Sequence, residues 1–337
     1  MRATDAVIDC HFHIIGNGSS GSGCWVRVTR PYHKLLARIM LRFFNLPPSA
    51  LAGNLDELYL NRLVQMVRES SVSRVVGLAH ELPRDRQGNP IDGFGSFYVP
   101  NDYVLSCARR HPEILAGVSI HPARPDALEE LERCIQGGAA VLKLLPNCQN
   151  IDCSEPRFRP FWERLAAAGI PLLAHTGGEL SVPVYNPEYA DPRTLRLPLE
   201  CGVNVIAAHA GSRSLFFDPD YVDALIQLAH DHPNIYVDNS ALCTPTRAAC
   251  IRRTLESPLR ERVVFGSDLP IPPSCHAPLL RGLISKTQWR ECRAISNPLE
   301  RDLQLKRAIG YPAESFNRIT NLIPQAALNV STATPTC

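Results

Sequence analysis

Eight short apolar runs punctuate the chain, each ending in polar residues, and stretches with helical spacing of apolar positions lie between them. The runs cover Ala6–His11, Ser73–His80, Ile114–His121, Ala139–Leu145, Ile170–His175, Val203–His209, Asn234–Asn239 and Arg262–Asp268. Their cores, among them VVGLA, LAGVSI, AVLKLL and VNVIAA, are apolar on both faces, as strands of a parallel sheet covered by helices must be. Between them apolar residues recur at helical spacing over Asn54–Ser70, Asp126–Gly137, Phe158–Gly169, Arg193–Gly202, Tyr221–His232, Thr246–Ser257 and Leu299–Gly310. Many of these stretches stop at Gly or just before Pro, where helices end. Strand alternating with helix eight times predicts an α/β fold of the (β/α)8 class, a single-domain TIM barrel over residues 1–324. A doubly wound open sheet is the alternative, but nothing in the sequence resembles its Gly-rich dinucleotide turn.

Three connections are longer than a barrel needs, after the first, second and eighth strands: Ile14–Gly53, Glu81–Pro112 and Pro270–Asn297. The first is Gly- and Ser-rich, then turns helix-like over His33–Leu46, with Lys34, Arg38 and Arg42 at four-residue spacing beside Leu35, Leu36, Ile39 and Phe43. This insertion, residues 14–53, is expected to form a lid over the barrel mouth, since loops after the strands surround the active site. The same amphipathic helix could pack on the barrel or on a second subunit of a homodimer; its modest basic face makes a membrane-surface role the weaker alternative. The small, polar tail over 325–337 is expected to be flexible.

Composition narrows the class. With 337 residues, 45% hydrophobic and 20% charged, the chain has a core too large for a disordered protein. A net charge of +2 gives no electrostatic case for nucleic acid, and no window reaches the ~20 apolar residues of a membrane span. The first run begins at Ala6, which leaves no room for a secretory signal, and the twelve cysteines show no framework spacing. A cytoplasmic protein with reduced thiols and a small-molecule substrate is expected. One imbalance stands out: only Lys34, Lys143, Lys286 and Lys306 among 35 basic residues are lysines. Lys143 lies inside the apolar run AAVLKLLP, where a plain positive charge has no place.

Catalytic groups in such barrels come from the C-terminal ends of the strands. In order, those ends carry His11 and His13, His80, His121, Lys143, His175, His209 and Asp268. Alternation along the first strand points His11 and His13 toward the axis and Cys10 and Phe12 outward. An HxH pair alone is weak evidence, because strand histidines are also satisfied structurally. Joined to His175, His209 and Asp268, it becomes three or four nitrogens with one carboxylate, a set suited to Zn²⁺ with Mn²⁺, Fe²⁺ or Co²⁺ as substitutes.

From VIDCHFH through KLLP, PLLAHTGGE and NVIAAHAG to VVFGSDLP, the ordered motifs resemble those of the amidohydrolase superfamily of metal-dependent hydrolases. The resemblance is closest to the amidohydrolase-related (amidohydrolase 2-like) branch, which also holds decarboxylases and hydratases, and it spans nearly the whole chain. It implies a barrel with one or two divalent ions at its mouth and His11, His13 and His175 as ligands. Asp268 would bind the ion or its water and move protons; His209 would bind a second ion or polarise the substrate. In two-ion members a Lys ending the fourth strand is carboxylated and its carbamate bridges the ions. Only a neutral primary amine can add CO₂, which burial of Lys143 favours and which Arg could not do. In one-ion members that ligand is often missing, and Lys143 would then be a cation that orients a substrate carboxylate. The expected function is hydrolysis of an amide, ester or lactone bond in a small, carboxylate-bearing substrate. The alternative is a mononuclear nonoxidative decarboxylase or hydratase of an unsaturated or aromatic acid.

Other polar residues near the strand ends have weaker expectations. His80 and His121 could touch substrate or cap their loops, Glu179 could orient a metal-bound histidine, and Arg213 could pair with an acidic substrate. Asp9 is expected as a buried carboxylate on the His11 and His13 face, a partner for Lys143 if that lysine is charged, while Asn239 and Ser267 are candidates to line the pocket.

Overall fold

Parallel pairing brings the eight apolar runs together in chain order. The computed structural model describes residues 6–28 and 31–329. Strands β1 (Ile8–His13), β2 (Arg74–Leu78), β3 (Ile114–Val118), β4 (Ala139–Leu144), β5 (Leu172–Ala174), β6 (Val205–Ala207), β7 (Ile235–Asp238) and β8 (Val263–Val264) form one sheet in that order. The sheet closes on itself beyond β8. Cys10 N–H donates to the Phe265 carbonyl at 2.9 Å, Asp268 N–H to the His11 carbonyl at 2.8 Å, and His13 N–H to the Leu269 carbonyl at 2.9 Å. The fold is a (β/α)8 barrel.

The double-sided apolar character of the strands divides between two layers. Val76, Leu115, Val141, Leu173, Ile206 and Val264 meet inside the barrel. Their sequence neighbours, such as Val75, Ile114, Leu142, Leu172, Val205 and Val263, pack outward against helix residues including Leu63, Leu131, Trp162, Leu225 and Leu303. Each fully buried aliphatic side chain stabilises the fold by roughly 1.5–3 kcal/mol. The N-terminal end of the barrel is stoppered by Ile319, Leu322, Ile323 and Ala327, which join the inner cluster. Part of the expected tail therefore docks: Gln325–Asn329 forms a short helix with Ala327 buried, and Arg74 Nη1 donates to the Leu328 carbonyl at 2.7 Å. Residues 330–337 of that tail, and 1–5 at the start of the barrel segment, lie outside the described residues.

One expectation of alternation fails in β1. Its pairing with β2 jumps from Asp9↔Val75 to Phe12↔Gly77, so two residues, Cys10 and His11, face one. Such a bulge shifts the alternation by one position. Cys10 joins the inner cluster instead of facing outward, and Asp9 turns away from the imidazoles. Its Oδ2 accepts from Ser267 Oγ at 2.5 Å and its Oδ1 from Ser267 N–H at 2.9 Å; Lys143 is not its partner. Gly266 makes this closure possible, because a Cβ there would stand 2.9 Å from His11 Cβ.

The long connections build the mouth. In the first, the Gly/Ser-rich segment folds around the Asp56 carboxylate, which accepts from Asn17 N–H at 2.6 Å, Ser20 Oγ at 2.7 Å and Ser22 Oγ at 2.6 Å. Trp25–Val26 then pairs antiparallel with Phe97–Tyr98 of the second connection, and a helix follows over Pro31–Phe43. The second and third connections are not wholly loop: they contain helices Asn101–Arg110, His276–Leu280 and Lys286–Ala294. These are short, and Pro-rich flanks hide their periodicity. Among the described residues, no helix is long and apolar enough to cross a membrane.

Candidate metal centre

At the C-terminal end of the barrel, the bulge in β1 and the turn after β8 aim three side chains at one point. His11 Nε2 lies 3.2 Å from His13 Nε2, and Asp268 Oδ1 lies 3.3 Å from the first and 3.2 Å from the second. Ligands about 2.1 Å from a tetrahedral ion stand about 3.4 Å apart, so the three atoms already have the spacing of one face of such a site. Their chemistry fits as well. His11 Nδ1 is 2.7 Å from Asp238 Oδ2, a carboxylate that can only accept. Nδ1 therefore carries the proton, and Nε2 turns a lone pair toward the Asp268 oxygen. Two acceptors facing each other repel, and a divalent cation between them reverses the sign.

Asp238, at the end of β7, organises this side of the floor. Besides His11 it accepts from His209 N–H at 2.7 Å, Ser240 N–H at 3.1 Å and Ser240 Oγ at 2.5 Å. His209 Nδ1 is 3.1 Å from the Ser240 carbonyl, so it too carries its proton on Nδ1 and keeps a lone pair on Nε2. His11, His209 and Asp238 also form a compact donor group, but their facing atoms are committed to this network. The Nε2 atoms of His11 and His209 stay outside that network and remain open to ligands. The turns are strained: His209, Ala210 and Asp268 have φ of 59°, 47° and 65°, each costing about 1–3 kcal/mol in a non-glycine residue. The bonds from His209 N–H to Asp238 and from Asp268 N–H to His11 hold two of them there.

The opposite side is built differently. Lys143 is 1% exposed, and its Nζ has no hydrogen-bond partner; the buried Nε2 of His175 has none either. Burial pushes the Lys143 amine below its usual range, against the pull of Asp238, Asp268 and Glu179. His175 Nδ1 is 3.6 Å from Glu179 Oε2. Glu179 is itself fixed by backbone N–H groups of Ser181 and Val182, and burial raises its pKa. Burial likewise holds the imidazoles of His11, His175 and His209 well below their ordinary pKa, which keeps them neutral and able to bind metal. For Asp268 burial alone would raise the pKa, but His13, through a hydrogen bond, and the charge of Lys143 hold the carboxyl below its ordinary value.

These groups form the floor of a cavity of about 140 Å³ lined by His13, Lys143, His175, Glu179, His209 and Asp268. Its walls are mostly apolar, with Leu36, Met40 and Leu41 from the Pro31–Phe43 helix beside Phe44, Phe97 and Val182, and with Arg27, His33, Tyr59 and Ser96 as polar members.

Not every strand-end candidate reaches it. His121 is consumed structurally, with Nε2 3.0 Å from the Gln149 carbonyl and Nδ1 accepting from Ala123 N–H at 3.1 Å. Arg213 is partly exposed, lies off the cavity lining and pairs with Asp220 at 3.4 Å. His80 stacks on Phe97, ring centroids 4.0 Å apart, and of the two it is Phe97 that lines the cavity. Ser267 is held by Asp9 behind the floor, and Asn239 accepts from Gly266 N–H at 3.1 Å. Arg247, which no motif marks, is a buried cation whose charge acts on Glu179 and His209. Buried, it donates to the Ser212 carbonyl at 2.8 Å and the Gly178 carbonyl at 2.6 Å, tying the turns after β5 and β6 together. Behind Asp268 a second buried lysine, Lys306, donates to Asp302 at 2.6 Å and to the Gly266 carbonyl at 2.5 Å.

The profile of the family described as Amidohydrolase matches residues 8–299. No curated protein matches the sequence. Among solved structures, the chain is similar to a probable 2-pyrone-4,6-dicarboxylic acid hydrolase from Acinetobacter baumannii with citric acid bound, at 14% identity and TM-score 0.58 over 94% of this chain and 98% of that one. It is similar to a putative 2-pyrone-4,6-dicarboxylic acid hydrolase from Pseudomonas putida at 15% identity, TM-score 0.54 and 97% of both chains. A 5-carboxyvanillate decarboxylase from Sphingomonas paucimobilis is similar at 13% identity and TM-score 0.50, over 98% of this chain and 100% of that one. At these identities the likeness establishes the barrel and leaves the reaction to the site.

Proposed function

Because the chain belongs to the Amidohydrolase family, we propose that it is a metal-dependent hydrolase that cleaves an amide, ester or lactone bond in a small, carboxylate-bearing substrate. The observation that carries this reading is the convergence of His11 Nε2, His13 Nε2 and Asp268 Oδ1 within 3.3 Å of one another. These three residues, with His175 beside them, would hold a divalent ion, Zn²⁺ first and Mn²⁺, Fe²⁺ or Co²⁺ as substitutes. When bound, such an ion lowers the pKa of water toward neutrality and polarises a carbonyl.

The protein's own groups do the rest. Asp268, kept ionised at the floor, accepts the proton of the attacking water and returns it to the leaving group, as a base and then an acid. His209, with its proton committed to Ser240, presents only a lone pair to the cavity. It serves as a ligand or acceptor and cannot donate to a developing oxyanion unless it gains a proton. Asp238 fixes the tautomer of His11 and holds the His209 backbone, while the Ser240 carbonyl fixes the tautomer of His209. The apolar walls exclude water and accept the substrate's hydrocarbon body. Free thiols at all eleven described cysteines support a cytoplasmic location.

Lys143 separates this reading from a second. Its amine, buried and without a partner, is placed to add CO₂ and bring a carbamate to the floor. As an ammonium it would instead meet a substrate carboxylate, which suits a decarboxylase or hydratase. Metal analysis of protein reconstituted in ¹³C-bicarbonate, with carbon NMR, tests the choice. Two ions per chain and a carbamate resonance support the hydrolase; one ion and no resonance would overturn it in favour of the lyase.

A further inference from the structure

We propose that the mouth of the barrel docks on an anionic lipid surface through the helix Pro31–Phe43 and the loops beside it. Among the described residues ten large apolar side chains stand exposed, and eight of them lie in connections at the C-terminal end of the barrel. Tyr32, Leu35 and Ile39 follow β1, Phe216 and Phe217 follow β6, and Leu280 follows β8. Phe216 and Phe217 are 81% and 82% exposed and Leu280 is 85% exposed. Scattered single residues of this kind need no explanation, but a set confined to one end of the molecule marks an interaction face.

Charge says what that face meets. Between Asp9 and Asp56 the sequence holds no acidic residue and five basic ones, Arg27, Arg30, Lys34, Arg38 and Arg42. On the helix, Lys34, Arg38 and Arg42 are exposed and four residues apart, so they form one stripe. Tyr32, Leu35 and Ile39 form a second exposed stripe, while Leu36, Met40 and Leu41 of the same helix line the cavity. A second copy of the chain meeting this face across a two-fold axis would set the three cations against their own equivalents. A nucleic acid would leave the apolar ring unexplained. An anionic bilayer satisfies both stripes, with cations at the headgroups and aliphatic and aromatic side chains at the acyl boundary. The cavity entrance, walled by the same helix, would then open against the lipid.

The test is sedimentation with vesicles of phosphatidylcholine, with and without phosphatidylserine, and does not depend on any catalytic reading. The wild type pellets with phosphatidylserine vesicles and is released by salt. Replacing the stripe (Lys34→Ala, Arg38→Ala, Arg42→Ala together) weakens binding on the order of 100-fold, and Phe216→Ser with Phe217→Ser weakens it further while metal content stays unchanged. The proposal is overturned if the wild type pellets with neither vesicle, or if pelleting is indifferent to both variants. It is equally overturned if the face proves to hold a dimer that both variants dissolve.

Discussion

The two sides of the cavity floor differ in how far they are assembled before anything binds. On the side of β1, β7 and β8, Asp238 and Ser240 fix the outer nitrogens of His11 and His209, and three ligand atoms already converge. His13 Nδ1 and, just past β7, Asn239 Nδ2 are the buried atoms without a partner there among the described residues. On the side of β4 and β5, Lys143 Nζ and His175 Nε2 are buried with nothing to bond. The first side has the rigidity needed to hold an ion in one geometry. The second carries a desolvation cost that is recovered only when an anion, an ion or a substrate arrives. One half of the floor is thus assembled in advance for the proposed ion, and in this proposal the other half decides what chemistry follows.

The largest effects should come from breaking the finished side. Asp268→Ala removes one of three converging ligands and should lower divalent-metal affinity by more than the roughly 10–100-fold that outer-partner changes cost, read by competition with a chelator. Lys306→Met attacks the same side from behind. It leaves Asp302 buried and unpaired and should cost about 3–5 kcal/mol of stability, most of it recovered by adding Asp302→Leu; equal loss in both variants in urea unfolding would mean that packing, not charge, is at stake. Asp238→Asn keeps the shape but weakens the charge that fixes His11 and His209. It should lower metal affinity by about 10–100-fold with the fold intact by circular dichroism.

The unfinished side should respond otherwise. Lys143→Met replaces an unpartnered buried amine with an apolar chain of similar length, so the unfolding midpoint should stay level or rise. The ion at His11, His13 and Asp268 should be retained; its loss would show that the two sides are a single site. The smallest effect is shared by both. Burial, the largest cause, holds His80 and His121 near pKa 3, and lowers His11, His175 and His209 too, whereas unfolded histidines titrate near 6.5. Below that value the unfolded chain binds more protons, so metal-free stability should fall with pH, by roughly 0.4 kcal/mol per imidazole already at pH 6.5. A flat urea midpoint between about pH 7.5 and 5.5 would contradict the neutral assignments.

Much of this was legible in the chain. Each apolar run became a strand within a few residues, because burial on both faces leaves a pattern that composition alone carries. His11, His13, Lys143, His175, His209 and Asp268 were marked by position, since strand ends in a barrel converge. What escaped depended on details that alternation does not encode. The extra residue of the β1 bulge exchanged the facing of Cys10 and Asp9. Asp238 sat one position before the expected Asn239, within a run that looked wholly structural. Arg247 and the Lys306–Asp302 pair come from helices whose neighbours are set only by tertiary packing, and His121 is satisfied by a loop carbonyl that no spacing reveals.

In the proposed function His11, His13 and Asp268 together hold a divalent ion. Metal analysis by mass spectrometry on purified protein reconstituted with Zn²⁺ and bicarbonate, wild type beside His13→Ala, tests it most directly. At least one ion per chain should be found in the wild type and lost from the variant. A wild type that binds none, or an ion that survives the removal of His13, would contradict the account.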